Sequence, residues 1–299
     1  MTNKIVITTG DVNGIGTEIT LKALRTLGCN NVVLVSNRKV LDFYGGADMA
    51  CELVEIPYDA EISPGKITRE SGEFSFRALE KACELRPKAI VTAPVAKDAM
   101  HLAGHHFNGQ TEVLEHFLAH NGQKAEMLFV AGSFRVLLLT RHCPLKEVSI
   151  SEKLIIDKVE RLAESLKIPQ PRFALCGLNP HAGEHGVLGR EEVDIIIPAV
   201  EKLRALGVDI TFPQPSDTLF LGAAESLKND KKLPYDCYIA MYHDQGLIPM
   251  KLLAGEKAVN VTIGLDILRT SPSHGTAFDI AGKGIANSNS MIEAIKLVS

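Results

Sequence analysis

The feature that most constrains the fold is an alternation along the chain. Short apolar runs give way repeatedly to amphipathic segments of helical spacing. Ile5-Val6-Ile7 reads as a buried strand, and the segment 17–27 sets Ile19, Leu21, Ala23, Leu24 and Leu27 on one helical face. The spacing then predicts a strand over 32–35, a helix over 74–85, a strand over 89–91 closed by Pro94, and a helix over 111–119. The runs 127–130 and 134–139 flank Gly132 and predict an antiparallel hairpin. A helix opening on Ser151 runs to 166; a strand over 173–176, a helix over 191–206, strands over 237–241 and 258–263 and a last helix over 290–298 follow. Strands alternating with helices predict an α/β fold, with largely parallel sheets and helices on both faces. No repeat, low-complexity tract or Pro/Ser-rich linker marks a boundary, so two domains would be joined by ordinary strands or helices.

Composition narrows the class. At 299 residues, with 45% hydrophobic and 23% charged, the chain is that of a soluble globular protein of one or two domains. A net charge of −4 argues against a nucleic-acid footprint, which needs a clustered basic face. No run approaches the ~18 apolar residues of a membrane span. Met1-Thr2-Asn3-Lys4 leads straight into a strand with no basic-then-apolar leader, so the expected location is cytoplasmic. The six Cys (29, 51, 83, 143, 176 and 237) form no C-x-x-C pair and are expected to be reduced and buried. The ten His form no H-E-x-x-H. Any metal site must therefore be assembled from distant loops.

In such folds ligands bind beyond the carboxyl ends of the strands, and here those ends hold the unusual polar residues. The loop Gly10-Asp11-Val12-Asn13-Gly14-Ile15-Gly16 joins a strand to a helix. It is neither G-x-G-x-x-G nor a P-loop, and both a tight structural turn and a ligand loop suit it. Thr92-Ala93-Pro94-Val95-Ala96-Lys97 places a Lys just past a strand. Gln110 and Thr111 open a helix, where free N–H groups and polar side chains can take an oxyanion. Three further loops, Thr140-Arg141-His142-Cys143, Asn179-Pro180-His181-Ala182-Gly183-Glu184 and Tyr242-His243-Asp244-Gln245-Gly246, each present a His. One such His is commonly structural, but three at strand ends suit a metal with open positions. Asp217 is a further ligand or a partner orienting a His. A last Gly-rich loop runs from His274-Gly275-Thr276 through Asp279 to Asn287. Upstream, Lys251 and Arg269 stand near turns and suit carboxylate or phosphate.

Asn179-Pro180-His181-Ala182-Gly183-Glu184, Met241-Tyr242-His243-Asp244-Gln245-Gly246-Leu247 and Arg269-Thr270-Ser271 with His274-Gly275-Thr276-Ala277 together resemble the hallmark segments of the 4-hydroxythreonine-4-phosphate dehydrogenase family, in family order. The resemblance implies two α/β subdomains of isopropylmalate dehydrogenase-like type with an active-site cleft between them. The nucleotide-binding subdomain would span 1–97 plus 240–299, and the metal, substrate and dimerisation subdomain 98–239. It implies a homodimer with shared active sites and a divalent ion (Zn, Mg or Co) held by His142, His181 and His243. Substrate contacts map onto Gln110, Thr111, Lys251, Asn260 and Arg269. The last loop resembles the nucleotide loop of isopropylmalate dehydrogenases, as does the Gly-Asp…Gly-Ile-Gly…Glu start. Gly10, Asp11, Gly14, Gly16, His274, Gly275, Asp279 and Asn287 would then bind cofactor. Asp279 would favour NAD over NADP by repelling a 2′-phosphate. Gln110 departs from a family His, which bears on substrate choice.

The implied reaction is NAD-dependent, metal-assisted oxidation of 4-phosphohydroxy-L-threonine to 2-amino-3-oxo-4-(phosphohydroxy)butyrate. Decarboxylation then gives 3-amino-2-oxopropyl phosphate, in pyridoxal 5′-phosphate biosynthesis. Lys251 and Arg269 would clamp substrate anions. The proton acceptor is open among Asp217, Asp244 and a water. Three rivals remain. One is a dehydrogenase of threonate or erythronate 4-phosphate. The second is a zinc hydrolase, and the third a non-catalytic metal- or nucleotide-binding protein.

Overall fold

A computed structural model describes residues 2–299, the side chains of residues 2 and 3 apart. Two compact units emerge, Met1–Ala125 with Val259–Ser299, and Glu126–Ala258. The chain thus changes unit after Ala125 and again after Ala258, later in each case than the sequence reading places the boundaries.

The first unit opens with β1 (Thr2–Thr8), α1 (Gly16–Leu27), β2 (Val32–Ser36), α2 (Arg38–Phe43), β3 (Glu52–Glu55), α3 (Arg69–Glu84), β4 (Pro87–Thr92), α4 (Lys97–Leu102) and α5 (Gln110–Leu118). The second contains β5 (Glu126–Ala131), β6 (Phe134–Leu138), α6 (Glu152–Ser165), β7 (Arg172–Leu175), α7 (Ile197–Ala205), β8 (Asp209–Ile210), α8 (Ser216–Lys228), β9 (Cys237–Ala240) and α9 (His243–Ala254). The chain then returns to the first unit as β10 (Val259–Ile263), β11 (Leu268–Pro272) and α10 (Asn289–Lys296).

Strand order in the first unit is β3-β2-β1-β4-β11-β10, parallel throughout except where β10 meets β11. In the second it is β5-β6-β9-β7-β8, with only the β5–β6 hairpin antiparallel. Gly132, at φ 59°, starts the two-residue turn between Ala131 and Phe134, as a tight hairpin requires. The central strands are buried on both faces, so β2 reads Val-Val-Leu-Val without alternation. Val6, Val33, Ile90 and Phe74 pack in the core of the first unit. Phe134, Phe220 and Tyr238 fill that of the second, Phe220 stacked on Tyr238 at 5.5 Å between ring centres. Burial of each such ring contributes about 2–3 kcal/mol. Thr68 and Ser151 cap α3 and α6 by accepting from Ser71 N and Leu154 N, each cap being worth about 1 kcal/mol.

The helix expected over 191–206 begins instead as a π-helical turn over Glu192–Ile196 before α7. The cysteines depart further from what their spacing suggests. Cys83, Cys176 and Cys237 are buried thiols, and Cys143 is a free but exposed one. Cys29 and Cys51 are half-buried and form a disulfide, with Cα atoms 5.1 Å apart. The reason is parallel pairing. Cys29 lies just before β2 and Cys51 just before β3, and neighbouring parallel strands bring their starts together. Burial raises the thiol pKa of Cys83, Cys176 and Cys237 to about 12, so these three stay protonated. No helix among the described residues is long and apolar enough to cross a membrane.

Candidate active site

In the second unit three strand-end loops are tied together by hydrogen bonds. Thr140, after β6, donates its N–H and hydroxyl to Met241 O, after β9. Gln245 accepts from Met241 N at 2.6 Å and donates to Gly177 O and Ser216 Oγ at 2.7 and 2.8 Å. This one amide therefore joins the loop of His243, the approach to His181 and the start of α8. Gly246, beside it, lets α9 press against the sheet: a Cβ there would come within 2.9 Å of Leu138, Val136 and Ala240.

His142 and His243 line one cavity of about 390 Å³ with Arg141, Cys143, Tyr242 and Asp244. Their ring centres are 5.6 Å apart. His243 Nδ1 lies 2.6 Å from Asp244 Oδ1, a carboxylate–imidazole pairing of the kind that orients a metal-ligating ring. His181 stands exposed on the turn after β7, outside that cavity's lining. No group of three or more His, Cys, Asp or Glu converges on a metal position among the described residues. Asp217 is exposed in the first turn of α8, and Lys251 in the last turn of α9. The donors suit a divalent transition metal: imidazoles at strand ends, one already oriented by a carboxylate.

The turn carrying His181 is unusual. Residues His181 to His185 all have left-handed backbone angles, with φ of 52, 51, 77, 42 and 58°. Only one of the five is Gly, and a left-handed turn costs L-residues ~1–2 kcal/mol each. The buried Glu192 carboxylate faces this turn and accepts from Leu178 N, Asn179 N and Asn179 Nδ2.

In the first unit the polar residues gather around the end of β4. Arg269 stands in β11 rather than in a turn, only 2% exposed. Its Nε and Nη2 donate to Thr92 Oγ1 at 2.9 and 2.6 Å, and Nη1 to Thr262 Oγ1 at 3.3 Å. Burial lowers its pKa to about 10 against the pull of Glu112, in the first turn of α5. It remains a cation at neutral pH. Gln110 donates Nε2 to Ala93 O, next to Thr92, while its Oε1 is buried with no hydrogen-bond partner. Asn260, on the same face of β10 as Thr262, likewise keeps a buried Oδ1 without a partner. Thr111 is buried beside Gln110.

The first Gly-rich loop is wholly buried. A Cβ at Gly10 would meet Pro94 O at 2.2 Å, at Gly16 Thr9 O at 2.3 Å, and at Gly14 Thr276 Cβ at 3.0 Å. These glycines admit the chain's own backbone, and Ile15 N donates to Thr276 O. Asp11 is buried beneath them, accepting from Asn13 N and Ser71 Oγ, and its pKa is raised to about 6 by burial. The loop is thus a bed for the last one. Glu18 holds Ala286 N, and Lys22 donates to Gly284 O and Ala286 O. On that bed His274, Gly275, Asp279 and Asn287 stand exposed, with open space where a Gly275 Cβ would be. The fit to a large cofactor lies in this exposed, backbone-anchored loop.

Gln245, Glu192, Thr92 and Thr262 escape the sequence reading. Gln245 and Thr92 lie in loops whose other residues carried the signal, and Gln245, Glu192 and Thr92 act through partners that only the fold brings near. A second cavity, of about 840 Å³, lies in the first unit between residues 55–60 and α3. No expected site residue lines it.

The comparisons with known proteins agree over the full length. A family model described as Pyridoxal phosphate biosynthetic protein PdxA matches residues 4–298. A 4-hydroxythreonine-4-phosphate dehydrogenase from Synechocystis sp. is 41% identical, over 99% of this chain and 95% of its own. A D-threonate 4-phosphate dehydrogenase from Cupriavidus necator is 38% identical, over 98% and 95%. The crystal structure of 4-hydroxythreonine-4-phosphate dehydrogenase from Klebsiella pneumoniae superposes with a TM-score of 0.84 at 36% identity, covering 100% of this chain and 97% of that one.

Proposed function

Because the chain belongs to the PdxA family of pyridoxal phosphate biosynthetic proteins, we propose that it is a dehydrogenase of 4-phosphohydroxy-L-threonine. The alcohol is oxidised to 2-amino-3-oxo-4-(phosphohydroxy)butyrate with NAD as the hydride acceptor, and loss of carbon dioxide gives 3-amino-2-oxopropyl phosphate. The carrying observation is the buried Arg269 guanidinium in the same unit as two uncommitted amide oxygens, Gln110 Oε1 and Asn260 Oδ1. Such a set offers a cation to phosphate or carboxylate, and acceptors to an ammonium or hydroxyl.

Within this reading Arg269, Thr111 and Lys251 bind the substrate's anionic groups, and Gln110 and Asn260 orient its donors. His142, His181 and His243 hold one divalent ion, Zn, Co or Mg. Bound there, that ion would act as a Lewis acid on the substrate oxygen. Asp217, Asp244 and water are the candidates to accept the hydroxyl proton. The loop of His274, Gly275, Asp279 and Asn287 receives the nucleotide over the bed of Gly10, Asp11, Gly14 and Gly16. An Asp279 carboxylate accepts from ribose hydroxyls and repels a 2′-phosphate, which favours NAD over NADP. The exposed His142 and His181 leave both open to a second copy, in keeping with a homodimer that shares its sites. The location in this reading is the cytoplasm.

The relative named for D-threonate 4-phosphate supports a second substrate. It lacks the ammonium, and its hydroxyls would meet the same two acceptors. NADH formation with each substrate, before and after chelation, tests the reading. The amino substrate should be oxidised, and activity should vanish with the chelator and return with zinc. Turnover of D-threonate 4-phosphate alone would move the assignment to the second substrate, and turnover indifferent to chelation would remove the metal.

A further inference from the structure

We propose that Glu192 is the positioning residue of this site. It holds the left-handed turn 181–185 in place, and so sets where His181 stands. The proposal rests on the reading of His181 as a metal ligand.

Four observations converge on it. The turn strings together five residues in a backbone region that L-residues avoid, and Gly183 alone among them is suited to it. A conformation of that kind persists only where its surroundings over-determine it. The Glu192 side chain supplies that restraint from below. It is 1% exposed, accepts from Leu178 N and Asn179 N at 2.8 Å and from Asn179 Nδ2 at 2.9 Å, and so pins the two residues that lead into Pro180-His181. The contact is flush: a Cβ on Gly183 would lie 2.7 Å from Glu192 Oε2. Glu192 also opens a π-helical turn, Glu192–Ile196, a departure from regular helix that is frequent at functional sites.

These contacts are all N–H groups donating to a carboxylate. A Gln in its place keeps one acceptor oxygen. Its own NH2 then faces either Asn179 Nδ2 or the two backbone donors, and one set is lost. The partners that orient a metal ligand from outside are commonly worth 10–100-fold in metal affinity.

The test uses the full-length apoprotein. Zinc affinity is measured by competition with a chelator, and amide exchange is followed at Leu178 and Asn179. In Glu192→Gln, zinc binding should weaken 10–100-fold and the two amides should lose protection. Val200→Ala, which opens a cavity in the core under α7, controls for general destabilisation. It should lower Tm and leave both readouts as in the native chain. Adding Ala182→Gly to Glu192→Gln relieves the left-handed backbone and should recover part of the zinc affinity. If Glu192→Gln does not fold, Glu192→Asp, one methylene shorter, should show the same losses in milder form. Native zinc affinity in Glu192→Gln, while His181→Ala abolishes binding, overturns the proposal, as does native protection at both amides. Native zinc affinity in His181→Ala instead removes the metal from this turn and overturns the reading beneath the proposal. Lost protection in Glu192→Gln would still establish the anchor.

Discussion

A guanidinium in the second position of a central strand is an expensive group to bury, and the groups that accept from Arg269 on its own sheet are two neutral threonine hydroxyls, Thr92 and Thr262. Its worth to the molecule should therefore lie in ligand binding. Arg269→Met is expected to leave Tm unchanged or slightly raised, since a hydrophobic side chain in a buried charge's place is often neutral or stabilising. The same change should raise KM for the phosphorylated substrate roughly 10–100-fold, about 1.4–2.8 kcal/mol. Thermal melts and initial rates check both halves, and a large fall in Tm with unchanged KM would contradict them. Asp11 gives the opposite case, an acid whose pKa burial raises from 3.8 to about 6. The folded state therefore holds its proton more tightly than the unfolded chain. The stabilising contribution is complete below about pH 4 and is lost as pH rises through 6, a loss on the order of 3 kcal/mol by neutral pH. Asp11→Asn lacks this dependence, so its Tm relative to the native chain should rise between pH 4.5 and pH 7.5. At this scale the sequence showed which residues carry chemistry but not how deep they sit. Arg269 is readable as an anion binder from its type, whereas its burial follows from β10 and β11 pairing across it.

Between elements the limits of local pattern are clearest. The parallel strands, the hairpin about Gly132 and the capped α6 follow from periodicity and cap residues close in sequence. Helix α9 does not, because Gly246 and Pro249 are poor interior residues and mask it. Packing decides there: Gly246 is present for close approach to Leu138, Val136 and Ala240. The Cys29–Cys51 bridge is invisible to spacing for a related reason, since only the pairing of β2 with β3 brings the two together. It closes a loop of 22 residues, which should contribute about 3 kcal/mol through the unfolded chain. Reduction with dithiothreitol, or Cys29→Ala with Cys51→Ala, should lower Tm accordingly. The buried thiols of Cys83, Cys176 and Cys237 should stay inert to a thiol reagent that labels Cys143 in the folded protein. An unchanged Tm on reduction would show that the unfolded ensemble gains nothing from release of the link.

For the whole molecule, the order of segments predicts how it can be divided. The second unit is one continuous stretch with its own core, while the first is completed only by β10, β11 and α10 from the end of the chain. A fragment spanning 126–258 should therefore melt cooperatively by near-ultraviolet circular dichroism. A fragment spanning 1–125 should not, because β4 loses its β11 neighbour. A cooperative transition in the shorter assembly would contradict this. The α/β class was legible in the alternation of segments, but the crossing points were not, since no linker composition marks Ala125 or Ala258. One detail of the strand order bears on behaviour in a crowded cell. The first unit's sheet ends on β3, a strand of four residues flanked by Glu52 and Glu55, and the second's on β8, a strand of two that begins at Asp209. Free backbone at those margins is brief and acidic. A stray strand from another molecule would find few rungs to pair with and charged side chains among them, so the protein should resist templated aggregation at these margins even when abundant.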